Sequence, residues 1–309
     1  MSNSTAIDLT KLNLEVEGAF CKRVPGELRP AFLKGWQDTL PNKLEPVFPP
    51  VQVSGCPRYA YNDLEYNCRF RLAAFPKYVD REFAESLLPD WLELGPAPDA
   101  PNGKHPMMFG FGAYEHFGPV LTPWHLRFIN YHEFLCSIPE TRLKHPGHHY
   151  AGPFLYPIKI LLDSPAALAV GVLLGYPKHL ADIASENLVY QIVRGEKLVC
   201  QATVAPAGTP TPAIKTPQPW RVRSSQPIVT SPPTGGHVFT HFEFEMERGF
   251  MQPAALDLMV GADDVIPSFL KGSVQIPALV EGKVGAFLLS TPCHWQPPFL
   301  RSVLDTINP

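Results

Sequence analysis

Val238-Phe-Thr-His-Phe-Glu-Phe-Glu-Met246 alternates in side-chain character residue by residue, the pattern of a strand with one face in a core and the other in water. Related stretches recur along the chain. Tyr66-Asn-Cys-Arg-Phe-Arg-Leu72 alternates, Met107–Tyr114 reads as a buried strand, and Phe128–Leu135 puts Tyr131 and Glu133 on one face with Asn130, His132 and Phe134 on the other. Leu188–Arg194 and Lys197–Val204 flank a Gly195-Glu turn as a hairpin. Phe154–Asp163 and Ala166–Leu174 read as consecutive strands around Asp163-Ser-Pro165. The 36 prolines among 309 residues, more than double the usual share of about 5%, exclude an all-helical chain because proline breaks helix interiors. The predicted fold is mainly β with a few helices, largely antiparallel, as a barrel or sandwich.

Helices are predicted around Leu28–Leu40 and from Pro76 through Leu88, and Gly282–Leu289 forms a last strand or helix. Residues 1–50 mix short apolar patches with Pro, Gly and charge and read as an N-terminal extension; residues 51–309 form a single domain without internal repeats. Ala205 to Pro233, rich in Pro, Thr and Ser, reads as an exposed loop or lid. A net charge of −3 without runs of like charge gives no footprint for nucleic acid or an anionic membrane. The longest apolar run, Ala166 to Tyr176, is too short to span a bilayer. Six cysteines without a Cys-x-x-Cys pair, behind an N-terminus unlike a signal peptide, indicate reduced thiols in a cytoplasmic protein.

Three groups of residues invite chemistry. Seven histidines fall between His105 and His149, yet no His-Glu-x-x-His spacing stands out, so no metal site is assigned. Arg69 and Arg71 share a strand face and suit a substrate carboxylate, although solvated arginines on such a face are commoner. Gly110 and Gly112 bare one strand face, either for close approach of a ligand or for a tightly curved barrel strand.

The third group centres on one lysine. The nearly uncharged run Ala166-Ala-Leu-Ala-Val-Gly-Val-Leu-Leu-Gly-Tyr-Pro ends in a turn followed directly by Lys178. An ammonium beside an apolar surface loses hydration, its pKa falls, and the neutral amine becomes available as a nucleophile for carbonyl carbon. Glu133, if its face points inward, meets an apolar interior that favours the neutral carboxylic acid.

The segment Leu161-Leu-Asp-Ser-Pro-Ala-Ala-Leu-Ala-Val-Gly171 with Gly175-Tyr-Pro-Lys178-His-Leu180 resembles the centre of the acetoacetate decarboxylase family, and Tyr131-His-Glu133 resembles its Tyr-x-Glu segment. The resemblance implies a β barrel or cone, a homo-oligomer, no cofactor, and a small carbonyl substrate. It also implies an imine on Lys178 with Glu133 as its acidic partner. Tyr131, Tyr176 and His179 would position substrate or tune these groups, beside the Gly110/Gly112 face. This chain departs from the family at His179, which stands where a second lysine is usual, and at Gly171-Val-Leu in place of Gly-Arg-Glu. A second acid of some members falls near Gly110. The implied reaction is decarboxylation of a β-keto acid. An aldolase, dehydratase or cyclase on a larger apolar carbonyl compound, or a non-catalytic module holding an apolar ligand, are the alternatives.

Overall fold

Strand β1 (Tyr66–Ala74) has a partner on each side, and this closes the sheet on itself. The computed structural model describes residues 66–119, 129–145, 152–231, 237–261, 272–280 and 284–296; the expected extension over 1–50, the helix over 28–40, and His125, His148 and His149 lie outside them. After β1 come β2 (Lys77–Asp80), helix α1 (Arg81–Ser86), β3 (Leu92–Leu94), β4 (Lys104–Pro119), β5 (Ile129–Leu143) and β6 (Phe154–Leu162). Helix α2 (Pro165–Leu173) leads to β7 (Lys178–Leu180), β8 (Asp182–Glu186), β9 (Val189–Arg194) and β10 (Lys197–Pro206). The chain continues through β11 (Thr211–Pro212), α3 (Gln218–Ser224), β12 (Ile228–Thr230), β13 (Val238–Phe244), β14 (Phe250–Val260), β15 (Gly272–Ile276) and β16 (Phe287–Gln296).

The ring runs β1-β4-β5-β6-β12-β13-β16 and returns to β1. From β16 the sheet continues through β14, β10, β9 and β8, folding across the outside of the ring. The ladders are antiparallel except β6–β7 and β6–β12. Side-chain alternation sorts the shared wall. On β5, Tyr131 packs into the ring interior with Phe70, Leu162 and Trp295. Phe134, Cys136 and Ile138 face outward into a second core with Ile192, Cys200 and Leu258. Each such buried apolar side chain contributes roughly 1.5–3 kcal/mol, so the wall is held from both sides.

The expected strand over Ala166–Leu174 is instead helix α2. Its uniform hydropathy resembles a buried strand, but alanine and leucine favour helix, Pro165 stands at its first turn, and the Ser164 side chain accepts a hydrogen bond from Ala167 N at 3.2 Å. The helix ends in paired bonds, Tyr176 N to Gly171 O at 2.9 Å and Gly175 N to Val172 O at 3.0 Å, with Gly175 at φ 80°. Only glycine adopts that left-handed turn without strain. The reversal sends Pro177 and Lys178 back alongside β6, where Lys178 pairs in parallel with Ile160. Lys178 therefore opens a strand, and β7 passes through Ala181 directly into β8.

Residues 205–231 of the segment expected as a loop or lid are also more regular than their composition suggests. They carry β11, α3 and β12, and bury Trp220 and Arg223. The Arg223 guanidinium binds Asp99 and lies 3.4 Å from Glu140.

Candidate active site

The ring encloses a cavity of about 250 Å³. Its wall on β5 runs through every second residue, Ile129, Tyr131, Glu133, Leu135 and Ser137, an extent of about 26 Å at the usual rise of a strand. Glu133 stands midway. Opposite it on β4 is Gly112, flanked by the Tyr114–Tyr131 pair on one side and the Gly110–Leu135 pair on the other.

Lys178 enters this space from β7, beneath α2. Its Nζ donates to Ala167 O at 3.2 Å and lies 5.4 Å from the Tyr176 ring centroid. The stem passes so close to Gly171 that a β-carbon there would stand 2.3 Å from Lys178 Cδ. Burial lowers the Lys178 pKa from its ordinary 10.5, and the Glu133 charge only partly opposes this. The lysine keeps some accessible surface because it borders the cavity.

Glu133 is 5% exposed. Burial raises its pKa, opposed by the Lys178 charge and by the Tyr114 hydroxyl, which donates to Oε1 at 2.9 Å. The Tyr114 and Tyr131 rings stack at 4.5 Å, and burial lifts both phenols well above 10.0. They stay protonated, and Tyr114 spends its proton on the hydrogen bond to Glu133. The arrangement unites a desolvated amine and a reluctant carboxylate, which can form a carbonyl adduct and move a proton at it.

A family model for acetoacetate decarboxylase matches residues 45–269. The chain belongs to the acetoacetate decarboxylase family. No curated protein matches it in sequence. Among solved structures, an acetoacetate decarboxylase from Legionella pneumophila subsp. pneumophila str. Philadelphia 1 is similar with TM-score 0.51 at 17% identity, over 79% of this chain and 90% of that one. An acetoacetate decarboxylase-like enzyme from Sphingomonas wittichii RW1 gives TM-score 0.52 at 14% identity, over 81% and 98%. The enduracididine biosynthesis enzyme MppR complexed with pyruvate gives 0.50 at 14%, over 81% and 97%. At these identities the structural likeness establishes the fold.

Within this family fold, Lys178, Glu133, Tyr131 and Tyr176 all line the cavity. The other residues singled out from the sequence are placed differently. Arg69 is exposed on the outer face of β1, because its neighbours Cys68 and Phe70 turn inward, and Arg71 beside it pairs with Glu115. His179 projects to the opposite face of β7 from Lys178, since strand residues alternate, and it is outside the cavity lining. Gly110 and Gly112 make room for protein: added β-carbons would stand 2.5 Å from Leu72 Cδ1 and 3.0 Å from Phe70 Cε2, respectively. Among the described residues no group of His, Cys, Asp and Glu side chains is arranged to hold a metal ion, and no helix is long and apolar enough to cross a membrane.

Sequence reasoning missed four participants. Tyr114 is one; its cross-strand pairing with Tyr131 is invisible until register is known. Trp295 and Phe242, paired across β13 and β16, line the cavity. Gln226, from the segment read as an exposed loop, stands on its wall.

Proposed function

We propose that the protein is a lyase that forms a Schiff base through Lys178 and decarboxylates a β-keto acid. The observation that supports this most directly is the lysine itself, an amine with a lowered pKa inside an apolar cavity that also holds Glu133. The neutral amine adds to the ketone carbon and water leaves, giving a protonated imine. The bond to the carboxylate carbon breaks, its electron pair moves into the imine to form an enamine, and CO2 departs. Glu133, whose proton affinity burial raises, takes up a proton from water and delivers it to the enamine carbon; water then releases ketone and amine. Tyr114 holds Glu133 in place. The proposal includes a cytoplasmic homo-oligomer, with residues 51–309 as one domain behind an extension over 1–50.

A second reading keeps the imine and changes the bond broken or formed, to aldol or dehydration chemistry. The length of the cavity wall on either side of Glu133 favours it, because a small acid leaves most of that wall untouched. The pyruvate complex of MppR is a neighbouring case of this fold holding a carbonyl compound.

Intact-mass measurement after borohydride reduction, with acetoacetate and longer β-keto acids, tests the imine. A reduced adduct on the native chain that disappears in Lys178→Ala supports it, and CO2 release then separates decarboxylation from aldol chemistry. No adduct across the series eliminates the imine mechanism and favours a binding module.

A further inference from the structure

Strand β4 carries one residue more than its neighbours on either side. Tyr114 pairs with Tyr131 on β5 and the next pair is Phe117 with Ile129, so Glu115 and His116 together oppose Asn130. The same extra residue shows against β1, where Arg69 pairs with Glu115 but Asn67 with Gly118. This is a β-bulge. His116 takes a left-handed backbone there at φ 55°, unfavourable for a residue with a β-carbon, and its N–H donates to Asn130 Oδ1 at 2.8 Å.

The bulge decides which side chain the wall presents. Unbroken alternation from Tyr114 would turn His116 to the cavity and Phe117 away from it. With the extra residue, Phe117 stands opposite Ile129 and both line the cavity. A phenyl ring thus takes the place of an imidazole. It stacks on Tyr66 at 5.3 Å, with 17° between the planes, and stands nearly perpendicular to the stacked pair Tyr114 and Tyr131, at 87° and 79° and 6.1 Å from each. Two aromatic walls meet at close to a right angle, and all four rings border the cavity. A planar guest laid in that corner stacks on one wall and sets its edge against the other, the geometries that aromatic pairs prefer. A saturated ring of the same size fills the space without gaining either. The corner adjoins the reacting groups, since Tyr114 donates to Glu133 Oε1 at 2.9 Å.

We infer that Phe117, turned inward by the bulge at His116, selects a carbonyl substrate whose acyl group is aromatic or conjugated. Under the proposed reaction this is a 3-aryl-3-oxo acid. The inference deepens the Schiff-base reading and rests on it only for where the carbonyl reacts.

Phenyl methyl ketone and cyclohexyl methyl ketone, alike in size and carbonyl group, test this by calorimetric titration of the full chain. The phenyl ketone should bind roughly fivefold tighter, the worth of one well-placed aromatic pair. In Phe117→Leu the preference should fall to within about twofold, with affinity for the cyclohexyl ketone little changed. A purely structural role for Phe117 would weaken both ketones alike. His116→Gly adopts the left-handed turn freely and should keep the preference, whereas His116→Val, whose branched β-carbon opposes that turn, should lose it. Equal binding of the two ketones by the native chain overturns the inference, as does a preference that survives in Phe117→Leu or in His116→Val. If one of these two variants does not fold by circular dichroism, the other decides. Borohydride reduction of the same mixtures reads the imine separately: a phenyl preference without an adduct removes the Schiff-base reading and leaves this one standing, and an adduct without the preference does the reverse.

Discussion

Lys178 runs beneath the bare face of Gly171, with its Cδ, Cε and Nζ at 2.3, 2.6 and 3.0 Å from where a β-carbon would be. Glycine on α2 is therefore what lets the lysine reach Ala167 O while staying under the helix. Gly→Ala within a helix ordinarily stabilises by about 1 kcal/mol, but here the methyl displaces a flexible side chain. Gly171→Ala should leave the melting temperature nearly unchanged and reduce imine trapping by about a hundredfold, the usual effect of misplacing a reacting group by about 1 Å. Trapping at the native rate would show that the lysine does not need this passage.

Glu133 raises the Lys178 pKa through its charge. Glu133→Gln removes that influence, so the Lys178 pKa should fall further and the acid limb of adduct formation should move to lower pH. Turnover should meanwhile drop by roughly 100-fold or more, because the proton donor is lost. The rate of borohydride trapping against pH, measured beside steady-state turnover, checks both halves. An acid limb that stays in place means that the two groups are not coupled.

The Tyr114 hydroxyl lowers the Glu133 pKa by hydrogen bonding to its charged form. Tyr114→Phe should move the Glu133 pKa upward and weaken turnover several-fold, consistent with the loss of about 1 kcal/mol from one buried hydrogen bond. Carboxyl titration followed by infrared spectroscopy tests the direction; a downward move would contradict the assigned role.

The barrel wall was legible because its strands are half-buried on each side, and alternation reports that directly at Tyr131, Glu133 and Phe134. Lys178 stood out because a charge following an apolar run is conspicuous. Helix α2 was misread because it is apolar on nearly every side, so hydropathy gave it no period; its Ser164-Pro165 start and Gly175 stop were the better indicators. Arg69 and His179 were misjudged for a related reason: near Lys178 or on a cavity strand in sequence, each occupies the opposite strand face. Gln226 could not be found locally, since its fixed amide depends on Glu140, far away in sequence.

Burial lowers the Lys178 pKa from 10.5. Between the lowered folded value and 10.5 the unfolded chain binds more protons than the folded one, so stability rises with pH through that window. Below the folded value the desolvation penalty is present in full. Lys178→Met removes it, and the variant should melt above the native protein at neutral pH, with its advantage shrinking as pH approaches 10.5. Differential scanning calorimetry across that range checks the sign; an advantage that grows with pH would mean the ammonium is stabilised where it sits.

Arg223 ties the cavity's far wall to the barrel. It is 1% exposed, its Nη1 donates to Asp99 at 3.0 Å, its Nε lies 3.4 Å from Glu140, and its guanidinium stacks over Trp220 at 4.7 Å. Removing one member of such a buried pair costs about 3–5 kcal/mol, mostly because the partner charges are left desolvated. Arg223→Met should therefore lower stability by about 3 kcal/mol, at the small end because Asp99 remains partly exposed. Asp99→Asn added to it should recover part of the loss, since the stranded charge is removed with its partner. Chemical denaturation of Arg223→Met, Asp99→Asn, the double variant and the native chain tests this. Additive losses would mean that Asp99 and Arg223 act independently.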